Sequence, residues 1–275
     1  MVLAVLLVLA LAFPAWSWEI TVAFTNDLHA YADRLRAFAS ILAQADLVLD
    51  AGDTWEDTVR RTGAQEAWAT LRAMAEIGYD AMVLGNHETY LEPRLLAELV
   101  AAAPFPVLAT NLRSNLPTKE WALREVRGVR VLILGVLWDL ALIWPGWELR
   151  DPLESIRQAL AAAPAHDVFI LLAHLDLSRI VTLAQALPGC ALIISGHNHL
   201  FLAEPVWVGS VPIVQAGARG EAVGVATLTE HGLASYSLVW RPVPAATGLP
   251  SPWKVGANPV SVTLTASVLR SEGGR

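Results

Sequence analysis

Cysteine is nearly missing from this chain. A single one, Cys190, stands among 275 residues, which excludes an internal disulfide framework. Its setting, Pro188-Gly189-Cys190-Ala191-Leu192, is that of a small core residue and not of a nucleophile. Positive charge is short as well. The net charge is −7, the arginines are scattered and no basic run occurs, so no nucleic-acid partner is expected. Hydrophobic residues make up 55% of the chain, yet no run reaches the length of a membrane-spanning helix. The nearest internal stretch, Val131 to Trp147, is interrupted by Gly135, Asp139 and Pro145 and reads as two buried strand-like pieces with a loop. No internal repeat is evident, and the length suits one sizeable α/β domain with a large core.

The first residues differ from the rest. Val2 to Phe13 is an apolar stretch of signal-peptide length, followed by Pro14 and then Ala15-Trp16-Ser17. Ala15 and Ser17 occupy the small-residue places of a signal-peptidase site, which predicts export to the periplasm or the cell exterior and a mature start at Trp18. The stretch lacks the usual Lys or Arg before it. The competing expectation is a first buried element of the fold.

Strand and helix signals alternate from Ile20 to about Ile194. Apolar runs at Ile20 to Phe24, Leu47 to Leu49, Ala81 to Leu84, Val107 to Ala109, Val168 to Ala173 and Leu192 to Ser195 read as buried strands. Ala122 to Leu137 reads as two strands joined at Arg127-Gly128. Helices are expected over Arg34 to Gln44, Gly63 to Ile77, Pro93 to Ala103 and Asp151 to Ala163, the last with Asp151 as N-cap and Pro152 in the first position. From Leu200 to Trp240 the pattern shifts to short strands. The predicted fold is α/β: two sheets packed face to face with helices outside, in four layers. The expected organisation is a leader over residues 1–17, a catalytic domain over 18–242, and a tail or late edge strand over 243–275.

What the chain does have is five polar clusters, each at the end of one of these strands: Asp27-Leu28-His29, Gly52-Asp53, Gly85-Asn86-His87-Glu88, the lone His174, and Gly196-His197-Asn198-His199. Five of the seven histidines lie in them. Side chains at the ends of successive strands converge on one edge of an open α/β sheet, where such folds keep their sites. Asp27 and His29 are two apart, so on an extended backbone they point the same way, and His197 and His199 repeat the spacing. Asp53 carries two oxygens and can bridge two ions. Asn86 adds an amide oxygen and His174 a further imidazole. Mixed N/O donors without thiolate suit Zn, Mn, Fe or Co, and seven donors are enough for two divalent ions sharing Asp53. Each cluster alone is weak; their order and placement together carry the argument.

Taken together the clusters resemble the calcineurin-like metallophosphoesterase superfamily, from about Ile20 to Trp240. Thr25-Asn26-Asp27-Leu28-His29, Asn111 after the Val107 strand, and Val214 to Gly224 with its Gln215-Ala216-Gly217 make it most similar to the branch of 5′-nucleotidases and 2′,3′-cyclic phosphodiesterases. The resemblance implies one ion held by Asp27, His29, His199 and Asp53, and a second held by Asn86, His174, His197 and the same Asp53. It implies that His87 faces the phosphate, and that a hydroxide held between the ions attacks a phosphomonoester, a nucleotide or related small metabolite. Asn111 and Arg219 are implied substrate contacts. The alternatives are a phosphodiesterase for cyclic nucleotides or similar diesters, and a metal-binding or partner-binding protein with little turnover.

Two departures stand out. The branch places an aspartate three residues after the motif histidine, where it orients the ring; counted from His87 that position is Tyr90. After Asp53 the chain runs Thr54-Trp55-Glu56-Asp57-Thr58, in place of the small polar residues usual there. Family nucleotidases also carry a base-stacking C-terminal domain. With about 35 residues after Trp240, none is expected in this chain. The loop Trp138 to Trp147 is the only evident aromatic platform, and core or lid packing is the role expected for its tryptophans.

Overall fold

The computed structural model of the chain describes residues 17–137 and 140–241. The expected leader, apart from Ser17, and the expected tail lie outside the described residues, as does Trp138. The elements follow in order: β1 (Glu19–Thr25), α1 (Ala32–Arg36), α2 (Ala39–Leu42), β2 (Leu47–Asp50), α3 (Ala64–Ile77), β3 (Ala81–Val83), α4 (Pro93–Ala102) and β4 (Val107–Leu108). Then come β5 (Leu112–Arg113), β6 (Trp121–Val126), β7 (Val129–Leu137), β8 (Glu148–Leu149), α5 (Pro152–Ala162), β9 (Val168–His174) and α6 (Leu177–Ala186). The chain closes through β10 (Leu192–Ser195), β11 (Val206–Val208), β12 (Val211–Val214), β13 (Ala222–Thr229) and β14 (Gly232–Trp240).

Two six-stranded sheets result, in the orders β14-β13-β1-β2-β3-β4 and β11-β12-β10-β9-β7-β6, with a small β5-β8 ribbon beside them. Strands β1 to β4 are mutually parallel, as are β7, β9, β10 and β12; the flanking strands β13, β14, β6 and β11 run antiparallel to their neighbours. Parallel strands covered on both faces need apolar side chains on both, which is why these runs are continuous rather than alternating. The two-residue period of a strand then divides them. Val22, Phe24, Leu49, Val131, Ile133, Ile170 and Ile194 fill the space between the sheets. Ala23, Val48 and Met82 turn outward against Leu35, Phe38, Leu71, Met74, Leu96 and Leu99, on α1 to α4 and the turns between them. Leu132, Leu134, Leu171 and Ile193 turn outward against Ile156, Ile180 and Leu183, on α5 and α6. The layering is therefore helix, sheet, sheet, helix, as the sequence predicts. Each fully buried Leu, Ile or Val contributes about 1.5–3 kcal/mol.

Three local expectations are corrected. The helix expected over Arg34 to Gln44 is two short ones, α1 and α2, separated at Ala37 and Phe38. Leu35, Phe38 and Leu42 nevertheless all reach full burial. Helix α6 was not anticipated, although Ile180, Leu183 and Ala184 give it a buried face at helical spacing. The strands expected after Leu200 are not all short: β11 and β12 extend the second sheet, while β13 and β14, of eight and nine residues, extend the first. Among the described residues no helix is long and apolar enough to cross a membrane.

Candidate metal centre

All five polar clusters leave the C-terminal ends of parallel strands. Asn26 to His29 follow β1, Asp53 follows β2, Asn86 and His87 follow β3, His174 is the last residue of β9, and His197 and His199 follow β10. The first three lie on one sheet and the last two on the other, so the site straddles the sandwich edge. The loops are laced together by main chain: Asp27 N–H donates to Gly52 O at 2.8 Å, His29 to Asp53 at 2.9 Å and Ala30 to Thr54 at 2.8 Å. Asn26 ties this loop to the far one, donating to Gly217 O at 2.5 Å and accepting from Ala216 N–H at 2.8 Å.

Asp27 and His29 do not sit on extended backbone, nor do His197 and His199. β1 ends at Thr25 and β10 at Ser195. Asp27, His29, Asp53, His197 and His199 are all in the left-handed region, with φ of 50°, 47°, 56°, 79° and 55°. Non-glycine residues are costly there, about 1–3 kcal/mol each, and such strain collects at functional sites. The motif glycines have a steric cause. A Cβ on Gly85 would lie 2.2 Å from Asp53 Oδ1, and one on Gly196 would lie 2.6 Å from His174 Nδ1.

The ligand atoms gather in three groups, each drawn within 4.8 Å: Asp27, His29 and His199; His29, Asp53 and His87; and Asp53, His174 and His197. Asn86 joins the last, its Oδ1 lying 3.0 Å from His197 Nδ1. The hydrogen bonds show which ring nitrogens are spoken for. His174 Nδ1 donates to Ala51 O at 2.7 Å, leaving Nε2 buried without a hydrogen-bond partner and 3.0 Å from Asp53 Oδ2. His29 Nδ1 donates to Glu56 O at 2.9 Å, leaving Nε2 facing His199 Nε2 at 3.0 Å. Imidazole nitrogens and carboxylate oxygens gathered this closely could together hold a cation, and this borderline N/O donor set fits divalent ions.

Burial alone would push His174 down, but the Asp53 carboxylate, with lesser help from Asp27, takes its pKa up to about 10. Burial would likewise raise Asp53, yet His174 first, then His87 and His29, hold it well below the usual carboxylate range. His29 and His197 lie below the ordinary histidine value, chiefly because burial disfavours their charged forms.

His87 stands apart. Its Nδ1 lies 2.6 Å from Glu56 Oε2, and its Nε2 points to Asp53 Oδ2 at 3.9 Å. Burial works against its proton, but the bond to Glu56 and the charges of Asp53, Glu56 and Glu88 hold its pKa above the ordinary value. Sequence reasoning missed Glu56 as a partner; the only signal was its place in an unusual segment. It missed Glu88 as well, whose buried carboxylate accepts four backbone N–H bonds: from Asp53 at 3.0 Å, Thr54 at 2.6 Å, Trp55 at 2.9 Å and Gly85 at 2.7 Å. Tyr90 takes another task, its hydroxyl accepting from Asn86 Nδ2 at 3.0 Å.

The two expected substrate contacts differ. Asn111 has no exposure, and its amide is committed to main chain: Leu137 N–H at 3.0 Å, Leu137 O at 3.2 Å and Arg150 O at 3.3 Å. It ties the last residue of β7 to Arg150. Arg219 is bound to the site by its backbone, donating to Asp27 O at 2.7 Å. Trp144 and Trp147 pack on the core beneath the first sheet and bond through their indole N–H to Thr89 O and Asn115 Oδ1, each at 2.9 Å, which is the packing role expected.

Residues 20–201 match the family model for calcineurin-like phosphoesterases. YunD of Bacillus subtilis, described as an uncharacterized metallophosphoesterase, is 27% identical over 227 residues, covering 74% of this chain and 49% of its own. A 5′-nucleotidase of Vibrio cholerae is 27% identical over 241 residues, covering 70% of this chain and 43% of its own. Among solved structures, a 5′-nucleotidase precursor from Thermus thermophilus superposes with a TM-score of 0.71 at 27% identity, over 82% of this chain and 55% of that one. The chain spans about half the length of these curated relatives. Five strand-end clusters in order, gathered at one edge of a two-sheet sandwich and matched over residues 20–201, place the chain in the calcineurin-like phosphoesterase family.

Proposed function

We propose that the chain hydrolyses a phosphomonoester, a nucleotide or a related small metabolite, with two divalent ions drawn from Zn, Mn, Fe and Co. The observation that carries the reading is Asp53, whose carboxylate groups with His174 and His197 on one side and with His29 and His87 on the other, and lies 3.0 Å from His174 Nε2. Asp27, His29 and His199 would hold one ion, Asn86, His174 and His197 the other, with Asp53 common to both. When bound, such ions acidify water and neutralise phosphoryl charge. The chain's own residues supply the rest. His87, with Nδ1 engaged by Glu56, presents Nε2 toward the cluster, where its proton can meet a phosphoryl or leaving oxygen and offset the charge growing there. The nucleotidase names among the relatives support a nucleotide.

The test is turnover of p-nitrophenyl phosphate, its bis ester and a panel of nucleoside monophosphates, with metal content measured on the same sample. Hydrolysis of the monoesters that is lost on chelation and restored by Mn, Zn or Co is expected. A faster diester reaction would move the reading to the phosphodiesterase alternative, and a fully metallated protein inert to every ester would leave only a binding role. Export is proposed on the Val2 to Phe13 stretch and the Ala15 and Ser17 pair. An intact Met1 terminus on protein from the native cytoplasm would refute it.

A further inference from the structure

The segment Thr54 to Thr58 is set apart by its sequence, and the structure shows why it matters. Its residue Glu56 is buried at 6% exposure and touches two histidines of the site with two different groups. The side-chain carboxylate reaches His87 Nδ1 at 2.6 Å. The main-chain carbonyl accepts from His29 Nδ1 at 2.9 Å. In both rings Nδ1 is occupied and Nε2 is turned toward the cluster, at Asp53 for His87 and at His199 for His29. The rings themselves meet edge to face, their centroids 4.6 Å apart.

Glu56 is also held rigidly on both sides. Before it, the N–H groups of Asp53, Thr54 and Trp55 are gripped by Glu88, and the Trp55 side chain is fully buried. After it, Asp57 N–H donates to Thr62 Oγ1 at 2.7 Å, and the Asp57 carboxylate accepts from Val59 and Arg60 N–H at 3.0 and 3.1 Å. Two loops are thus clasped in both directions: Glu88, next to His87, holds the loop of Glu56, and Glu56 holds the ring of His87. A second group that fixes the tautomer and aim of a site histidine is what such chemistry requires.

We propose that Glu56 is the positioning residue of this site, orienting the His87 ring with its carboxylate and the His29 ring with its carbonyl. It fills from the preceding strand's loop the place that Tyr90 leaves without an acid. The proposal rests on the phosphoesterase reading above.

The experiment uses the full chain carrying Glu56→Gln or Glu56→Ala, each alone and combined with His87→Ala, with bound metal measured throughout. Glu56→Ala is expected to lower kcat on a nucleoside monophosphate about 10–100-fold, the range of lost second-layer support, while KM moves by less than about twofold. Glu56→Gln keeps an acceptor oxygen and its volume, so it is expected to recover part of the loss. In the His87→Ala background Glu56→Ala is expected to change kcat no further, because a residue acting through His87 has nothing left to act on. Equal fold-losses in both backgrounds, or wild-type kcat in Glu56→Ala, would overturn the proposal.

A second readout needs no turnover. In protein carrying ¹⁵N-labelled histidine, a strongly hydrogen-bonded ring N–H that disappears in His87→Ala is expected, and it should also disappear in Glu56→Ala. Its absence from the wild type overturns the positioning role even in an active enzyme. Its presence in a fully metallated protein that hydrolyses nothing supports the Glu56–His87 link and overturns the phosphoesterase reading alone.

Discussion

Asp50 and Asp53 are buried acids at the same strand exit, and their surroundings drive them in opposite directions. Asp53 faces histidines and is held ionised, whereas Asp50 has none beside it. Burial raises the pKa of Asp50 to about 7, against three donors that favour its charge: Thr25 Oγ1 at 2.6 Å, Thr54 Oγ1 at 2.5 Å and Gly52 N–H at 2.9 Å. A raised folded-state pKa in an acid means that the native state binds the proton more tightly. The resulting stability is complete below the ordinary value of 3.8 and is lost as pH rises to about 7. The span corresponds to at most ~4 kcal/mol at ~1.4 kcal/mol per pH unit. Asp50→Asn should therefore gain on the wild type in urea-melt stability between pH 5 and pH 8; a difference between the two that stays flat across that range would refute the assignment. Asp53→Asn tests the opposite role. It should lower bound metal and cut turnover by more than ~100-fold, beyond the loss typical of a residue that only supports a ligand. Retained activity with unchanged metal would sink the bridging role. Of this proposed chemistry the sequence shows the candidate donors, because Asp27, His29, Asp53, Asn86, His174, His197 and His199 carry the donor atoms themselves. It hides Glu56 and Glu88, whose roles depend on where a neighbouring loop comes to lie.

At the scale of elements, the loops after β2 and β3 act as one unit because Glu88 binds both. Its Oε1 accepts from Thr54 and Trp55 N–H and its Oε2 from Asp53 and Gly85 N–H. Glu88→Gln keeps the shape but turns an amide NH₂ toward two of these donors. Leaving two buried N–H groups unpaired costs about 1–3 kcal/mol each, so a loss of about 2–6 kcal/mol is expected in chemical denaturation. Stability equal to wild type would show that the clasp can be remade by other acceptors. Helices with conventional ends were legible: Pro93 opens α4, and Asp151 caps α5, accepting from Glu154 N–H at 2.8 Å. The joint between α1 and α2 was not, since Arg34 to Gln44 keeps a helical apolar spacing straight through Ala37 and Phe38. Nor was the left-handed backbone of Asp27 and His29, because a two-residue spacing fits an extended strand equally well. That geometry is set by the loop after β2, to which both donate their N–H groups.

For the molecule as a whole, the apolar runs fix two buried sheets but not how the last four strands are shared between them. Pairing of β13 with β1, and of β12 with β10, is a long-range choice that local pattern does not carry. It matters for the site, because Asn26 after β1 holds the main chain of Ala216 and Gly217 after β12, joining the two sheets beside the ligands. How closely the sheets approach is set partly at Gly135 in β7, where an added Cβ would lie 2.7 Å from Leu108 Cβ and 2.9 Å from Val83 Cβ, both on the facing sheet. Those atoms are fixed to the backbone, so neither can swing aside, and an alanine there must push β7 away from β3 and β4. Overpacking of this kind costs about 1–3 kcal/mol. The candidate ligands stand at or just after the strand ends, beyond Gly135, and any metal they hold should be kept. Gly135→Ala is thus expected to lower the urea midpoint while binding the same number of ions per chain. Unchanged stability would mean that the sheets have slack at this point, and a loss of metal in the folded variant would mean that their spacing is transmitted to the site.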